Sequence, residues 1–439
     1  TTYYIGARES NGIAIEGEVK LNVKLNGIDY VLPVGMTGNG TEAEPFMLKT
    51  ADHLAWFRDY VNEGHPNAWA KIADDVKEID MSTVCHKADA EKQVAEVSWT
   101  PIGSKQYQGT FDGNGKTIRN LFISSTSDEI GFFGYAADCR IKNITFDNAK
   151  VKGNDNSSTG ILAGYAGSCV IENIKTTGNC SVEGKDHVGG IAGRASGDIG
   201  NCENHAMVKG AYYVGGIVGE YYSSDKSITS CANYGVVTGT GESVGGIAGY
   251  FNSGTIQNCA NYGDIKGTSS VGNLIGFAEI CYLNNVLGTG NVTATSDTER
   301  AGLLVGRISK SSSAASGILA YNSSAKLTIN GAEQTGEAVK AIGEGSLTYP
   351  EGVNEADVIK AFTAEQLNSG EVAYLLNGSK SEGELAWYQK LGTDAYPVLT
   401  AAEGNTVYNG SFRYCDNTAA SYSNSTSEDE LVHQMSARS

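Results

Sequence analysis

The chain has 439 residues, 32 basic against 50 acidic, for a formal net charge of −18. That sign disfavours nucleic acid and anionic membrane as partners, and no run of eighteen apolar residues is present to form a helical membrane span. The length exceeds one ordinary compact core, but a solenoid adds coils without widening its cross-section, so several domains are not required.

In chain order, residues 1–40 carry an alternation of Val19, Leu21, Val23 and Leu25 with polar residues, which predicts a half-buried strand. These residues are too few for a domain and are read as edge strands or the remnant of a preceding domain. The start at Thr1 rather than methionine fits a mature or trimmed chain whose targeting segment is gone. Residues 41–100 form an amino-terminal cap. There Thr50 is an N-cap, Leu54, Phe57 and Val61 recur at helical spacing, and Gly64 is the stop, which predicts a helix covering the first strand edges.

Residues 101–349 repeat. Val-Gly-Gly-Ile-Ala-Gly at Val188 returns as Val-Gly-Gly-Ile-Val-Gly at Val214 and again at Val244, and looser copies bring the closing glycines to 134, 164, 193, 219, 249, 276 and 306. A second phrase follows in each unit, at Ile141, Ile171, Ile199, Ile228 and Ile256, and a third apolar position falls at Val151, Val182, Val208, Val237 and Ile265. Three short apolar runs in about 29 residues, separated by Gly, Ser, Asn and Asp, are too short for helices and read as three strands with three turns. The fold class is therefore all-β: a right-handed parallel β-helix, or β-solenoid, in which each strand pairs with its equivalent one coil on. All six prolines lie outside residues 102–349, where each strand must donate to its neighbours.

Stacking predicts columns of equivalent side chains. Leu162, Ile191, Ile217, Ile247, Leu274 and Leu304 form one inward column, and Ile144, Ile174, Cys202, Cys231, Cys259 and Leu283 a second. Asn204, Asn233 and Asn261 suit an asparagine ladder at a turn. Nine cysteines leave at least one unpaired or paired between chains. Cys202, Cys231 and Cys259 are read as small buried hydrophobes, because parallel Cβ vectors about 4.8 Å apart exceed the separation of a bridge. Residues 350–401 form a carboxyl-terminal cap with short helices at Phe362–Leu367 and Glu371–Leu376, and 402–439 are a Ser/Asn-rich tail.

The glycine phrase, Glu44-Pro-Phe-Met-Leu48, Trp99-Thr-Pro-Ile-Gly103, Gly109-Thr-Phe-Asp-Gly-Asn-Gly115, Ser369 to Asn377 and Trp387 to Gly392 together resemble the GLUG-motif repeat proteins, frequent among secreted or surface proteins of gut Bacteroidetes. The resemblance covers about residues 40–400. It implies a secreted or outer-surface β-solenoid with capping elements and carries over no catalytic residue.

Motifs of chemistry do not survive inspection. Gly241-Glu-Ser243-Val-Gly245 matches a nucleophile elbow, but it overlaps the repeat phrase, whose other copies put His187, Tyr213 and Ser270 in the serine's place. Gly109 to Thr117 misses the spacing of a phosphate loop, no histidine begins H-E-x-x-H, and no calcium loop or C-x-x-C pair occurs, so no cofactor or metal is expected. The sharper candidate follows each closing glycine: Tyr135, Tyr165, Arg194, Glu220, Tyr250, Phe277 and Arg307. If Ile191 points inward, strand alternation turns this column outward. Tyr221, Tyr222 and Phe251 are expected to extend it sideways, near Tyr212 and Tyr213. The reading is a monomeric, non-enzymatic, adhesin-like module whose partner is a glycan or a surface protein. The alternatives are a polysaccharide lyase or glycoside hydrolase on a parallel β-helix, and a structural stalk.

Overall fold

The structure is a computed structural model and describes residues 31–155, 157–296, 299–380, 384–390 and 392–399. The strand alternation of residues 19–25 and the tail at 402–439 lie outside the described residues, as does Cys415.

About seven stacked turns of some 29 residues form a parallel β-solenoid. One ladder joins Ile123, Val151, Val182, Val208, Val237, Ile265, Val292 and Leu327 coil by coil. A second joins Ile130, Thr159, Val188, Val214, Val244, Val271 and Ala301. The third and widest carries the run Ile141, Ile171, Ile199, Ile228, Ile256, Leu283 and Ala315. Within the second phrase Asn143, Asn173, Asn201, Ser230 and Asn258 have φ between 51° and 61°. Asparagine and serine stand there because a corner in the left-handed region is least costly for short polar side chains.

The first inward column is buried at every position, Leu162, Ile191, Ile217, Ile247, Leu274 and Leu304 alike. Each such side chain contributes about 1.5–3 kcal/mol on burial. The second column differs at one place. Leu283 pairs with Ile256, and because Ala260 pairs with Leu287, the residue that continues the Cys259 column is Val286. The step from Leu283 to Val286 is the same three residues as from Ile256 to Cys259, so Leu283 belongs to the isoleucine run and Val286 takes the cysteine's place.

The asparagine ladder is present and buried. Thr176 Oγ1 donates to Asn204 Oδ1 (2.8 Å), Asn204 Nδ2 to Asn233 Oδ1 (2.8 Å) and Asn233 Nδ2 to Asn261 Oδ1 (2.7 Å). The amides also close their own turns, Asn233 on Gly235 O and Asn261 on Gly263 O, both at 2.8 Å. The next rung comes from elsewhere in its coil: Asn261 Nδ2 donates to Asn273 Oδ1 (2.9 Å), and Asn273 Nδ2 reaches Gly290 O (2.6 Å). In the earlier coils the second glycine of the phrase makes room for the amide. A Cβ at Gly190, Gly216 or Gly246 would lie 2.2–2.4 Å from the amide carbon of Asn204, Asn233 or Asn261. In the following coil the two residue types are exchanged, asparagine at 273 and glycine at 288, whose Cβ would sit 2.7 Å from Asn273 Oδ1. One amide fills one slot from either strand.

Two expectations are corrected. Neighbouring coils do permit a bridge: Cys139 and Cys169 form a disulfide with Cα atoms 4.7 Å apart. Cys202, Cys231 and Cys259 are free and buried. The carboxyl-terminal helices, Ala364–Asn368 and Glu371–Leu376, do not close the end of the stack. Their Leu367, Val372, Ala373 and Leu376 share a core with Ala260, Leu287 and Ala320, which are register partners on the flank of three successive coils. At the carboxyl end of the first ladder, Leu327–Ile329 turns back through Asn330-Gly331 into an antiparallel pairing with Ala332–Glu333, which covers that edge. Near the amino end, Thr50 accepts from His53 N and starts the helix Ala51–Asn62. This helix connects the parallel strands Phe46–Leu48 and Ala70–Ile72, and its Phe57 ring meets Tyr107 and Phe111.

The exchange at 273/288 yields a prediction. Asn261→Gly and Gly246→Asn should each destabilise the chain, the first by leaving buried polar groups unpaired, about 1–3 kcal/mol, the second by a clash. The double variant recreates the exchanged arrangement and should be more stable than either single variant in denaturant unfolding; additive losses would refute the shared slot.

Candidate functional site

Register places the expected outward residues in one unbroken column. Tyr135 pairs with Tyr165, Tyr165 with Arg194, Arg194 with Glu220, Glu220 with Tyr250, Tyr250 with Phe277 and Phe277 with Arg307. One further pairing, Arg307 with Glu344, extends it beyond the repeat phrase that revealed it. All eight are partly exposed.

The closing glycine before each of these residues brings a second column alongside. A Cβ on Gly193 would lie 2.4 Å from Thr159 N, and one on Gly249 2.3 Å from Val214 N, so only glycine lets the second and third ladders approach this closely. In the second ladder His187, Tyr213, Ser243 and Ser270 hold φ of 48°, 52°, 64° and 52°. Their pairing with Glu129 and Ser158 on one side and Arg300 on the other follows from the register of the adjoining valines.

The two columns interlock. Tyr135 and Tyr165 stack at 4.9 Å and 4°. The Tyr165 and Tyr222 hydroxyls hydrogen bond to each other, and the Arg194 guanidinium lies 5.7 Å from both ring centroids. Arg194 Nε and His187 Nε2 approach the same carboxylate oxygen, Glu220 Oε2, at 2.7 and 3.2 Å. The Arg194 approach is close but not aligned as a hydrogen bond, so the contact acts through charge. His187 stacks on Tyr213 (5.0 Å), Tyr213 meets Tyr250 (5.2 Å), and Tyr250 meets Phe277 (5.3 Å). Arg307 covers Phe277 at 4.8 Å and pairs with Glu344 (3.1 Å), which Arg300 also holds (2.6 Å). The Tyr250 hydroxyl donates to Glu279 (2.8 Å), itself paired with Lys310.

Stacking along the axis means that most ring faces in this column are occupied by neighbouring rings or cations. What it turns outward are ring edges, phenol hydroxyls and charged groups. Burial pushes the Tyr165 and Tyr250 phenols up to about 12, so both remain protonated donors. Burial would also raise Glu220, but His187 and Arg194 outweigh it and hold that carboxyl below its ordinary value. Glu129 behaves oppositely. Burial raises it to about 7 against the pull of Arg194, the Ser158 hydroxyl and His187, and its Oε2 is buried without a hydrogen-bond partner.

Two sequence candidates are misplaced. Tyr221 and Phe251 are 0% exposed, stacked on each other at 5.1 Å inside the solenoid, with the Tyr221 hydroxyl bonded to Gly197 O. Alternation explains it: if Glu220 and Tyr250 face outward, the next residue faces inward. Tyr222 remains on the surface with Tyr165. Glu129, Arg300 and Glu344 were missed, and His187 and Tyr213, which the repeat phrase had placed in one column, were not counted among the site residues. Glu129, His187, Tyr213 and Arg300 sit at the position before the apolar residue of the second ladder, and the glycine phrase that marks this column at 187, 213, 243 and 270 is lost at its two ends.

A second stack, His205, Tyr234 and Tyr262 with centroids 4.3 and 4.6 Å apart, runs along another flank. It is continued by Tyr396 at 6.1 Å, and Tyr262 donates to Pro397 O. The chain's own carboxyl-terminal segment covers that end.

No family model matches the chain. Halomucin of Haloquadratum walsbyi is 29% identical over 181 residues, which is 40% of this chain but 2% of halomucin. A "Putative Gly-rich membrane protein" of Evansella cellulosilytica is 30% identical over 122 residues, 26% of this chain and 13% of that protein. The chain thus spans a small fraction of the curated relatives it matches. A crystal structure described as a "putative immunoglobulin A1 protease" from Bacteroides ovatus superposes with a TM-score of 0.52 at 20% identity, covering 83% of this chain and 95% of that one. At that identity the likeness is one of fold.

Two predictions follow from the inward and outward assignments. Tyr221→Ala and Phe251→Ala should each cost about 3–5 kcal/mol in unfolding experiments, whereas Tyr250→Ala and Phe277→Ala should cost about 0.5–1.5 kcal/mol, the scale of a ring pair; equal costs would contradict the assignment. Glu129 binds its proton more tightly folded than unfolded, so its burial costs stability increasingly as pH rises from the ordinary carboxylate range through about 7. Glu129→Gln should melt level with the wild type near about pH 4 and above it near about pH 8; parallel melting curves would refute this.

Proposed function

We propose that this chain is a secreted or surface-anchored, non-enzymatic β-solenoid module, adhesin-like, that holds a glycan along the flank running from Tyr135 to Glu344. The observation that carries the reading is that flank itself. Every coil but the one at Phe277 presents a hydroxyl or charged group there, and successive coils are about 4.8 Å apart. Such a row matches a polymer of hydroxylated units better than a single small ligand. The flank at Ala260, Leu287 and Ala320, by contrast, is apolar and is covered by the chain's own helices. Because ring faces in the column are stacked on one another, the contacts to sugar are hydrogen bonds and edge contacts more than face stacking.

Surface location is supported by the partial likeness to halomucin and to a protein named for the membrane, and by the Cys139–Cys169 disulfide, a bond that persists in oxidising compartments. The glycine phrase supports grouping the chain with GLUG-motif surface repeats. Polysaccharide cleavage is a second reading, favoured by one observation: Glu129 is pushed up and Glu220 held down, the divergence that acid and base roles need. Against it, Glu220 is already engaged by Arg194 and His187.

A glycan-array screen with soluble products checked by mass separates the readings. Saturable capture without products is expected, weakened at least about tenfold in the Tyr250→Ala/Phe277→Ala double variant, a loss of the order of one good contact. Shortened products would move cleavage to first place. Absence of binding to any glycan would overturn the proposal in favour of a stalk or a protein partner.

A further inference from the structure

We infer that the cluster of Glu129, Ser158, His187, Arg194 and Glu220 is a subsite for a sugar carboxylate, a uronate or sialate residue of the bound glycan, and that it accepts this group when Glu129 carries a proton. The inference rests on the glycan reading above and names the substrate class for its amino-terminal part.

The cluster differs from the rest of the ladder in having an unmet hydrogen-bonding demand. Glu129 Oε2 is buried and has no partner among the described residues, and a buried polar atom left in that state costs about 1–3 kcal/mol unless something supplies the bond. Glu129 lies at the head of the second column, paired with Ser158, with His187, the first of its left-handed residues, one coil beyond. The charged and titratable groups that act on it are Arg194, Asp128 and His187, with Tyr135 close enough to feel its charge. Arg194 is held in place from two sides: the Tyr165 and Tyr222 rings lie 5.7 Å from its guanidinium, and the Glu220 carboxylate attracts its Nε through charge. A guanidinium presents five donors in a fixed fork, so engagement through Nε leaves the terminal nitrogens to meet a second carboxylate in bidentate fashion.

Charge decides when that second carboxylate is welcome. With Glu129 ionised and His187 neutral, two carboxylates face one guanidinium and an anionic ligand is repelled. With Glu129 protonated, Arg194 and Glu220 cancel and the repulsion of an anionic ligand is relieved. Uronates and sialates stay ionised through the neutral range, so a pH dependence there belongs to the protein. Arg307 and Glu344 at the far end of the same column lack this arrangement: two arginines already share that carboxylate.

Calorimetric titration of the full chain with oligogalacturonate and oligosialate, each beside a neutral methyl-esterified counterpart, tests the assignment. The acidic oligomers should bind about tenfold more tightly near about pH 6 than near about pH 8, the effect of removing one nearby charge at a partly exposed site. The neutral counterparts should show no such slope. Glu129→Gln should bind acidic oligomers equally well at both values, and Arg194→Gln should lose the preference for acid over neutral form. Circular-dichroism melts of both variants show whether they are folded. Neutral and acidic oligomers bound alike would overturn this inference and leave the glycan reading intact, whereas failure to bind any oligomer would count against both. A pH slope that persists in Glu129→Gln and disappears in His187→Gln would also overturn it, by moving the proton to the imidazole.

Discussion

Parallel pairing between coils is the constraint on which everything else rests. Once each strand must hydrogen bond to its equivalent in the next coil, every position becomes a column, and each column must be satisfied as a whole. An inward column can be aliphatic throughout, as from Leu162 to Leu304. A polar inward column must instead bond to itself, as the amides from Asn204 to Asn273 do. An outward column at this spacing brings like groups into contact, so rings stack and charges alternate in sign. Tyr135 on Tyr165, Arg194 beside Glu220 and Arg307 beside Glu344 are three local solutions of that one problem.

The same constraint explains which features could be read from the sequence. Period, strand count and the aliphatic column were legible because they recur with the same residue types. The outward column was legible as positions, since each follows a closing glycine, but its depth was misjudged at Tyr221 and Phe251. Aromatic residues there looked like a broadening of the surface, whereas alternation along the strand puts them inside. The Leu283 misassignment arose because no cysteine marks the column in that coil: Leu283 continues the Ile256 run, and Val286, three residues on, replaces Cys259. The flank position of the carboxyl-terminal helices was illegible, because it depends on which outward column is apolar, and Ala260, Leu287 and Ala320 are each unremarkable alone.

Exchange of asparagine and glycine between positions 273 and 288 shows that what repeats is the filled slot rather than the letter. The flank proposed as the binding surface follows similar logic. Glu129 and Glu344 stand at its two ends, and each end handles a carboxylate differently: Glu344 is neutralised by Arg300 and Arg307, while Glu129 is half-buried and pushed towards its neutral form. A uniform ladder thereby acquires polarity along the solenoid axis. A polymer lying on it would meet a fully paired salt bridge at one end and a protonatable acid at the other.

Hydroxyl-radical footprinting of the chain with and without its captured glycan, read residue by residue by mass spectrometry, tests the central claim that this flank is the contact surface. The account predicts reduced oxidation at Tyr135, Tyr165, Tyr250 and Phe277 in the complex, with Tyr282, which is 43% exposed outside the column, unchanged. Protection confined to residues off the column, or none on it despite saturation, would contradict the account.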